Sequence, residues 1–585
     1  MGKATDGQNR KLASWKHLLG AAWRLAKPYW LNSEEKGIAW GMLAVVVSLA
    51  LASVYLLVQF NTWNQQFYDA VQKLDLDAFW KLIRKFCGLA AAYILVRIFL
   101  SYFTNVLETR WRRWMTHRYI GNWLDDKSHY LWQLAETTTD NPDQRIAEDI
   151  REYVERTLDL SVGLLDKAVT LVSFVTILWT LSGTLNVPLG GGRSVAVAGY
   201  MAWLCLLYAF FGTWISHAIG RPLIGLNYRQ QRYEADFRFG LARLRENGES
   251  VALSDGEAVE KKELGSLFVD VYLNARAIIR KTLHLDIFRV GYDQAAVVFP
   301  YLLAAPRYFA KQITLGTLFQ VADAFGQVND ALSWAVANYD GLAFWRSVIE
   351  RLEDFDAEIE RTKAMRRAAL AVLGPSPAEG KVLLDALSLS LPGREEPLTQ
   401  AATLEFAAGR SVLVSGPSGS GKSTLLRALG GIWPFTRGRI LLPAGEKVLV
   451  LPQKPYLPLG SLRTVVSYPS AAGDIPDATL VEVLELCHLA HLKGCLDEVA
   501  HWSLILSVGE QQRLAWARVF LQAPRWLFLD EATSALDEET QSAIYRALAE
   551  RLPATTMISV AHTQQPRAHH QAVWRFGTND LRPMD

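Results

Sequence analysis

Cysteine is scarce in this chain. The four present, Cys87, Cys205, Cys487 and Cys495, include no pair spaced as C-x-x-C. That excludes a disulfide framework and a cysteine-built metal centre, and leaves four small buried hydrophobes as the expectation. An excess of one charge is also lacking: 61 Lys and Arg against 59 Asp and Glu give a formal net charge of +2. A protein held to nucleic acid by phosphate contacts needs a stronger basic balance, so nucleic acid is not expected among the partners. No secretory signal is expected either, because the first strongly apolar run begins near Ile38, too deep for the core of such a signal.

What the chain has in quantity is apolar surface. Half of its 585 residues are hydrophobic, 20 are Trp, and the mean hydropathy is positive. Length predicts more than one domain, and composition predicts membrane spans. Six spans are read: Ile38 to Phe60, Phe86 to Leu107, Ser161 to Leu181, Val195 to Ile219, Ala277 to Leu303 and Leu318 to Tyr339. The fifth carries Arg280, Lys281, Asp286, Arg289 and Asp293, and the sixth carries Asp323, Gln327, Asn329 and Asp330. Such side chains are costly against lipid, so these two spans are expected to face a bundle interior or a water-filled cavity. Arg and Lys concentrate in the N-terminal segment, in Arg110 to Arg151 and in Arg221 to Lys262. The positive-inside rule then puts both termini and both long loops in the cytoplasm, as expected for a multi-pass protein of the bacterial inner membrane. The basic segment Lys73 to Lys85 weakens that asymmetry and reads as a helical extension of the first hairpin outside the membrane.

Ahead of the spans, Leu12, Trp15, Leu18, Leu19, Ala22 and Ala26 fall at helical spacing with Lys11, Lys16, Arg24 and Lys27 interleaved. This reads as an amphipathic helix lying on lipid, ended or bent by Pro28; an ordinary packed helix is the alternative. The long cytoplasmic segments read as extensions of the membrane helices, turning at tips able to touch another domain. Asn141-Pro-Asp-Gln-Arg-Ile146 has the turn residues for one tip.

The last third changes character. Leu373-Gly-Pro-Ser-Pro-Ala-Glu-Gly380 reads as a linker, and beyond it strands and helices alternate as in an α/β domain. Gly416, Pro417, Ser418, Gly419, Ser420, Gly421, Lys422 and Ser423 fit G-x-x-x-x-G-K-[ST] between the apolar strand Val412 to Val414 and a helix opening at Thr424. Glycines let backbone N–H groups turn inward around phosphate oxygens, and the helix N-terminus adds a positive dipole. Lys422 can reach β- and γ-phosphates, and the Ser423 hydroxyl can sit on Mg²⁺. Trp526-Leu-Phe-Leu-Asp-Glu531 is an apolar strand ending in two acids: Asp530 is placed to hold the metal and Glu531 to orient or deprotonate an attacking water. Capping of the next helix is the alternative for Asp530. Gln453 and His562 follow the apolar runs Val448 to Leu451 and Met557 to Val560, at strand ends where a doubly wound sheet collects its ligand. Leu506-Ser-Val-Gly-Glu-Gln-Gln-Arg513 starts a helix whose N-terminus, Ser507 to Glu510, is free to meet a second chain's nucleotide.

Together these pieces resemble the ATP-binding cassette superfamily. The order matches: the phosphate loop, Gln453 as Q-loop, Leu506 to Gln511 as signature, then Asp530 and Glu531, Ser534-Ala-Leu-Asp537 as D-loop, and His562 as switch histidine. The resemblance implies that two cassettes sandwich two ATP molecules. Each nucleotide would be held by the phosphate loop with Thr424 of one chain and by Ser507, Val508, Gly509 and Glu510 of the other, with Asp537 nearby. Mg²⁺ would be shared by Ser423, Gln453 and Asp530, and catalysis by Glu531, His562 and Gln453. Asn61-Thr-Trp-Asn64, Phe67-Tyr-Asp-Ala70, Asn141-Pro-Asp-Gln144, Asn247-Gly-Glu-Ser-Val-Ala252 with Gly256 and Glu260, and Phe325-Gly-Gln-Val with Ala331-Leu-Ser-Trp334 are similar to a narrower group. That group holds the peroxisomal fatty-acyl half-transporters and bacterial relatives with an SbmA/BacA-type membrane domain. Asn247 to Glu260 is similar to the segment that implies contact with the cassette. Two departures stand out. Val508 and Glu510 replace the commoner Gly and Gln of the signature, and Leu387 to Pro392 lacks the aromatic that stacks on adenine, with Leu391 in its place.

The expected architecture is multidomain. An interfacial helix over 1–36 precedes an all-α, six-helix, exporter-like transmembrane domain over 37–345. A linker over 346–380 leads to an α/β P-loop ATPase cassette over 381–585. The expected activity is ATP-driven transport by a homodimer, of bulky hydrophilic solutes such as peptides or cobalamin. Fatty-acyl cargo and an ATPase-coupled membrane sensor are the alternatives.

Overall fold

The computed structural model describes residues 15–134, 141–188, 194–376, 380–394, 397–398, 402–417, 419–561, 565–576 and 581–584. The chain divides into two compact units: Met1–Tyr119 with Asn141–Asp354, and Ile120–Asp140 with Phe355–Asp585.

The first unit is built from long helices, as uninterrupted apolar runs demand. Lys36–Gln72, Ile150–Ser182, Tyr200–Glu246, Glu257–Phe309 and Leu315–Ala337 lie within it, and Leu76–Leu124 belongs to it as far as Tyr119. Among the described residues, four helical stretches, beginning at Lys36, Leu76, Pro142 and Tyr200, are long and apolar enough to cross a membrane. The expected fifth and sixth spans are continuous helices but fall below that apolarity, because their ionisable residues dilute it. On Glu257–Phe309 the exposed large side chains Ile279, Leu283, Ile287 and Val290 form one stripe at helical spacing, leaving the charges for the other faces. Leu315–Ala337 packs against four of the other long helices. Its Val321, Ala324, Phe325 and Val328 are buried in a core with Phe174, Leu178, Met201 and Cys205. An amide-rich seam joins it to Lys36–Gln72: Asn61 Nδ2 donates to Asp323 Oδ2 at 2.6 Å, Gly316 N donates to Asp69 Oδ1 at 2.8 Å, and Tyr68 stacks on Phe319 at 3.9 Å. The Asn61–Ala70 segment is thus half of a helix–helix contact, as interhelical amide pairing in lipid requires.

Two expectations change here. The fourth span does not begin at Val195, because Ser194–Ala198 pairs antiparallel with Thr184–Pro188 as a hairpin and the helix starts at Tyr200. The helix Trp15–Lys27 does not lay its whole apolar face on lipid. Leu18, Ala22 and Ala26 are buried, the Ala22 carbonyl accepts from Tyr153 Oη at 2.7 Å, and Leu19 and Trp23 stay exposed. At Pro28 it passes into a π-turn over Pro28–Asn32 that buries Tyr29 and Trp30. Asn247–Glu260 contains a short helix, Gly248–Leu253, within the first unit.

The second unit holds two sheets. The larger runs in the order Leu581–Met584, Ala572–Phe576, Val412–Ser415, Thr556–Val560, Trp526–Asp530, Val448–Leu451, parallel except for the edge pair of Leu581–Met584 with Ala572–Phe576. Its central strands are continuous apolar runs, Trp526 to Leu529 being buried on both faces, as a helix-covered parallel sheet requires. The smaller sheet runs Leu373–Pro375, Thr436–Leu442, Lys381–Leu389, Ala402–Ala407. The expected linker over 346–380 is therefore structured for most of its length: helix Tyr339–Ala371 fills its first part, and Leu373–Pro375 pairs with Ile440–Leu442 as a strand. The segment clustering with this unit also differs from the tip expected at Asn141. It is Ile120–Asp140, whose short helix Ser128–Leu134 buries Ser128, Leu131 and Trp132, while Asn141 opens the return into the first unit.

Candidate active site

The strand Val412–Ser415 delivers the phosphate loop at the carboxyl edge of the larger sheet, and helix Lys422–Leu429 leaves from it. Gly419 and Gly421 take φ of 79° and 101°, where an L side chain is strained. Gly416 is required by proximity: a Cβ there would strike the carbonyl oxygen of Phe576, and the Phe576 Cβ lies 3.1 Å away. Lys422 Nζ donates to the carbonyls of Gly416 at 2.9 Å and Pro417 at 2.7 Å, folding the cation over its own loop. Burial pulls the Lys422 ammonium below its ordinary pKa, against the opposing pull of Glu531 and Asp530. Ser420 Oγ is buried without a hydrogen-bond partner. An orphaned hydroxyl, a cation with acids beside it and inward-turned glycines fit a bound triphosphate. Thr424 is buried on the helix behind them, and Ser418 lies outside the described residues.

The two acids of the apolar strand separate in direction. Ser423 Oγ donates to Asp530 Oδ1 at 2.9 Å, placing a hydroxyl and a carboxylate side by side. Those are hard oxygen donors of the kind Mg²⁺ takes together with phosphate oxygens and water. Among the described residues no group of three His, Cys, Asp or Glu could hold a metal unaided. Glu531 sits at φ 50°, a left-handed conformation that is costly for a non-glycine residue and that clusters at functional sites. Its Oε2 accepts from Gln453 Nε2 at 3.0 Å. Asp537, not Asp530, caps the following helix, accepting from Thr540 N at 2.8 Å. His562 lies outside the described residues.

Ser507 is the N-cap of helix Val508–Gln522 in a full capping box with Glu510. Glu510 Oε2 accepts from Ser507 N at 2.9 Å and from Ser507 Oγ at 2.8 Å, and Glu510 lies 3.1 Å from His491 Nε2. The Ser507 hydroxyl bond, with help from His491 and Arg513, holds the Glu510 carboxyl below its ordinary pKa. So the departure at Glu510 serves the helix end it occupies. Val508 is exposed beside Leu504 and Ile505. Gly509 is held by proximity, since a Cβ there would meet the Ala535 carbonyl oxygen at 2.9 Å. Among the described residues no hydrogen bond joins this helix end to the phosphate loop.

One residue escaped sequence reasoning. Gln512 is buried, donates Nε2 to the Gln453 carbonyl at 3.1 Å and to Ser534 Oγ at 3.2 Å, and accepts from Ala535 N at 3.0 Å. One amide thus ties the signature helix to the two loops that carry Gln453 and Asp537. The Gln511-Gln512 doublet was the only sign of it. Leu391 is partly buried against the core around Leu389 and Trp433.

The geometry defines a P-loop ATPase carried on a bundle of membrane-type helices. Residues 29–309 match the family ABC transporter transmembrane region 2, and residues 399–534 match the family ABC transporter. The inner membrane ABC transporter ATP-binding protein YddA of Escherichia coli is 33% identical over 540 residues, covering 92% of this chain and 94% of that protein. The lysosomal cobalamin transporter ABCD4 of Homo sapiens is 28% identical over 571 residues, covering 92% of this chain and 91% of that protein. A bacterial Atm1-family ABC exporter with ATP bound shares the fold at a TM-score of 0.69 and 19% identity, covering 94% of this chain and 96% of that one. The chain belongs to the ABC transporters, as a half-transporter with one membrane region and one ATPase cassette.

Proposed function

We propose that two copies of this chain form an ATP-driven transporter of bulky hydrophilic solutes, peptides or cobalamin among them, in a bacterial inner membrane with both termini cytoplasmic. The observation that carries the cargo reading is a cavity of about 840 Å³ in the first unit. Lys167, Arg221, Arg289, Asp293, Asp323 and Asp330 line it. Ionisable groups of both signs inside a membrane bundle serve a wetted, polar pathway better than an acyl chain. Pairing between helices accounts for part of this, as Asp323 with Asn61 shows, yet Asp323 also faces the cavity. The human relative named as a cobalamin transporter supports the same class.

In the cassette, the phosphate-loop N–H groups and Lys422 bind the triphosphate. Ser423, Asp530 and Gln453 are the residues that would hold Mg²⁺, whose charge neutralises the phosphates when bound. Glu531 takes the proton of the attacking water, and His562 and Gln453 position the reacting groups. The partner's copies of Ser507 and Gly509 close the nucleotide from the other side, with Val508, Glu510 and Asp537 completing that face. ATP favours the closed dimer, and hydrolysis releases it, so access to the cavity alternates. The test is uptake into reconstituted vesicles of both orientations, with a peptide, cobalamin and an acyl-CoA offered in turn, and Glu531→Gln as the control. ATP-dependent uptake of peptide or cobalamin supports the reading. Uptake of acyl-CoA alone, or ATPase activity without uptake of any of the three, overturns it.

A further inference from the structure

The left-handed backbone of Glu531, at φ 50°, costs energy and persists only where the surrounding structure holds it. Three ties are direct. Glu531 N donates to the Val560 carbonyl and Ser534 N donates to the Glu531 carbonyl, both at 3.0 Å. Trp516 Nε1 donates to the Ala532 carbonyl at 3.2 Å. That leaves Thr533 in the same turn, which is buried and whose side chain hydrogen-bonds to Tyr545.

Tyr545 stands on helix Glu538–Arg551 and is buried. Its hydroxyl has three side-chain partners: Thr533, Gln541 and Ser559. Thr533 belongs to the turn that begins at Glu531. Ser559 belongs to the central strand Thr556–Val560, one residue before the carbonyl that anchors Glu531 N. One phenol thus bridges the two segments whose register sets the direction of the Glu531 carboxylate. Its ring is fixed from two sides, by Trp516 edge-on at 5.6 Å and by His569 stacked at 4.9 Å. Ser559 is fixed in turn, its Oγ sharing a hydrogen bond with His570 Nε2 at 2.8 Å. Buried hydroxyls are costly unless bonded, and apolar side chains would fill the same core without that cost. A Tyr, a Thr, a Ser and a His gathered there therefore serve something besides packing.

We propose that Tyr545 and His570 are positioning residues for ATP hydrolysis, holding through Thr533 and Ser559 the left-handed turn that aims the Glu531 carboxylate at the attacking water. The proposal rests on the reading of Glu531 as the base. Removing the phenol oxygen leaves the ring and its packing in place and lets the turn relax. A displacement of about 1 Å at a reacting group costs about 10²-fold in rate. Nucleotide binding rests on the phosphate loop and Lys422, so the loss should fall on turnover and spare affinity.

The test is ATP hydrolysis by the full chain in lipid nanodiscs, with steady-state kcat and KM, and single-turnover rates for the slow variants. Tyr545→Phe and Thr533→Val should each lower kcat by about 10- to 100-fold and leave the KM for ATP within about twofold. His570→Ala should lower kcat in the same way, and His570→Gln, which keeps a polar group where Nε2 bonds Ser559, should restore most of it. In a Glu531→Gln background, Tyr545→Phe should slow the residual hydrolysis by less than about twofold, because the carboxylate it aims is gone. Parent kcat in Tyr545→Phe overturns the proposal. So does a full further loss on top of Glu531→Gln, or a KM that rises as far as kcat falls, either of which makes the cluster a fold element only. If Tyr545→Phe does not fold, Thr533→Val carries the same cycle with the same outcomes. Hydrolysis by Glu531→Gln alone at the parent rate would instead overturn the reading of the base, and the proposal with it.

Discussion

Replacing Gln512 by Met keeps the length and the apolar volume of a buried side chain and removes three hydrogen bonds. The groups left behind are the Gln453 carbonyl, the Ala535 N–H and the Ser534 hydroxyl. Ser534 can rotate to another acceptor, but the two backbone groups cannot. Gln453, Ser534 and Ala535 are exposed, so water can reach the freed groups; at about 0.5–1.5 kcal/mol net per hydrogen bond, losing three should destabilise the cassette by about 2–4 kcal/mol. For a domain of this size each kcal/mol moves the melting temperature by about 2–4 °C, which predicts a fall of roughly 4–16 °C. Calorimetry of the full chain in detergent reads it, following the transition that ATP shifts, because two units need not unfold together. ATP turnover should fall by at least about tenfold, since Gln453 lies on one freed loop and Glu531 hydrogen-bonds to it. Gln512→Glu, which keeps an acceptor for Ala535 N, should fall between the two. A melting shift under about 2 °C with turnover unchanged would show that this amide does not hold the loops in register.

The other predictions address the chemistry and the membrane seam. Glu531→Gln should leave ATP bound and slow hydrolysis by about 10²–10⁴, and single-turnover rates near those of the parent would remove Glu531 as the base. Leu391→Tyr should tighten ATP by about 1–3 kcal/mol if the position lies over adenine, and GTP should compete with ATP better in the parent than in the variant; competition titrations giving equal ATP preference in both proteins would place the base elsewhere. Gly316→Ala forces a Cβ against the Gln65 carbonyl and to 2.6 Å from Asp69 Oδ1, so overpacking should cost about 1–3 kcal/mol and lower the thermal stability of the detergent-solubilised protein, and an unshifted melting curve would mean the seam can open freely.

How much of this was legible depends on how local each signal is. The phosphate loop, Asp530 and Glu531 could be read because phosphate chemistry demands fixed residues at fixed spacing next to a strand. The structure brings Ser423 to Asp530 and Gln453 to Glu531, pairs separated in sequence by 107 and 78 residues. The charged fifth and sixth helices were legible as helices, and Arg289, Asp293, Asp323 and Asp330 do line the cavity, whereas Arg280, Lys281 and Asp286 are exposed outside its lining. Other features had no local signature. Leu373–Pro375 carries Gly and Pro and so resembles a linker, yet it is a strand because Ile440–Leu442 offers it a parallel partner. The alternation Ser194-Val-Ala-Val-Ala198 was present, but its apolarity also suits the start of a span, and only pairing with Thr184–Pro188 decides it. Asp126 and Lys127 hold left-handed backbone without glycine, which no propensity announces. The tip was therefore expected at the proline turn near Asn141 and lies instead at Ser128–Leu134.

The central claim is that each ATP site is built from two copies of the chain. It is tested most directly by mixing two inactive subunits, Lys422→Ala and Ser507→Arg, in the reconstituted protein. The first lacks the phosphate cation, and the second blocks the capped helix end that a partner's nucleotide would meet. If sites are shared, hybrid dimers contain one intact composite site, and ATP hydrolysis should recover to a fraction of the parent rate on mixing while each variant alone stays inactive. Full ATPase activity from isolated parent monomers at high dilution, or a mixture as inactive as its components although hybrid dimers form, would contradict the account.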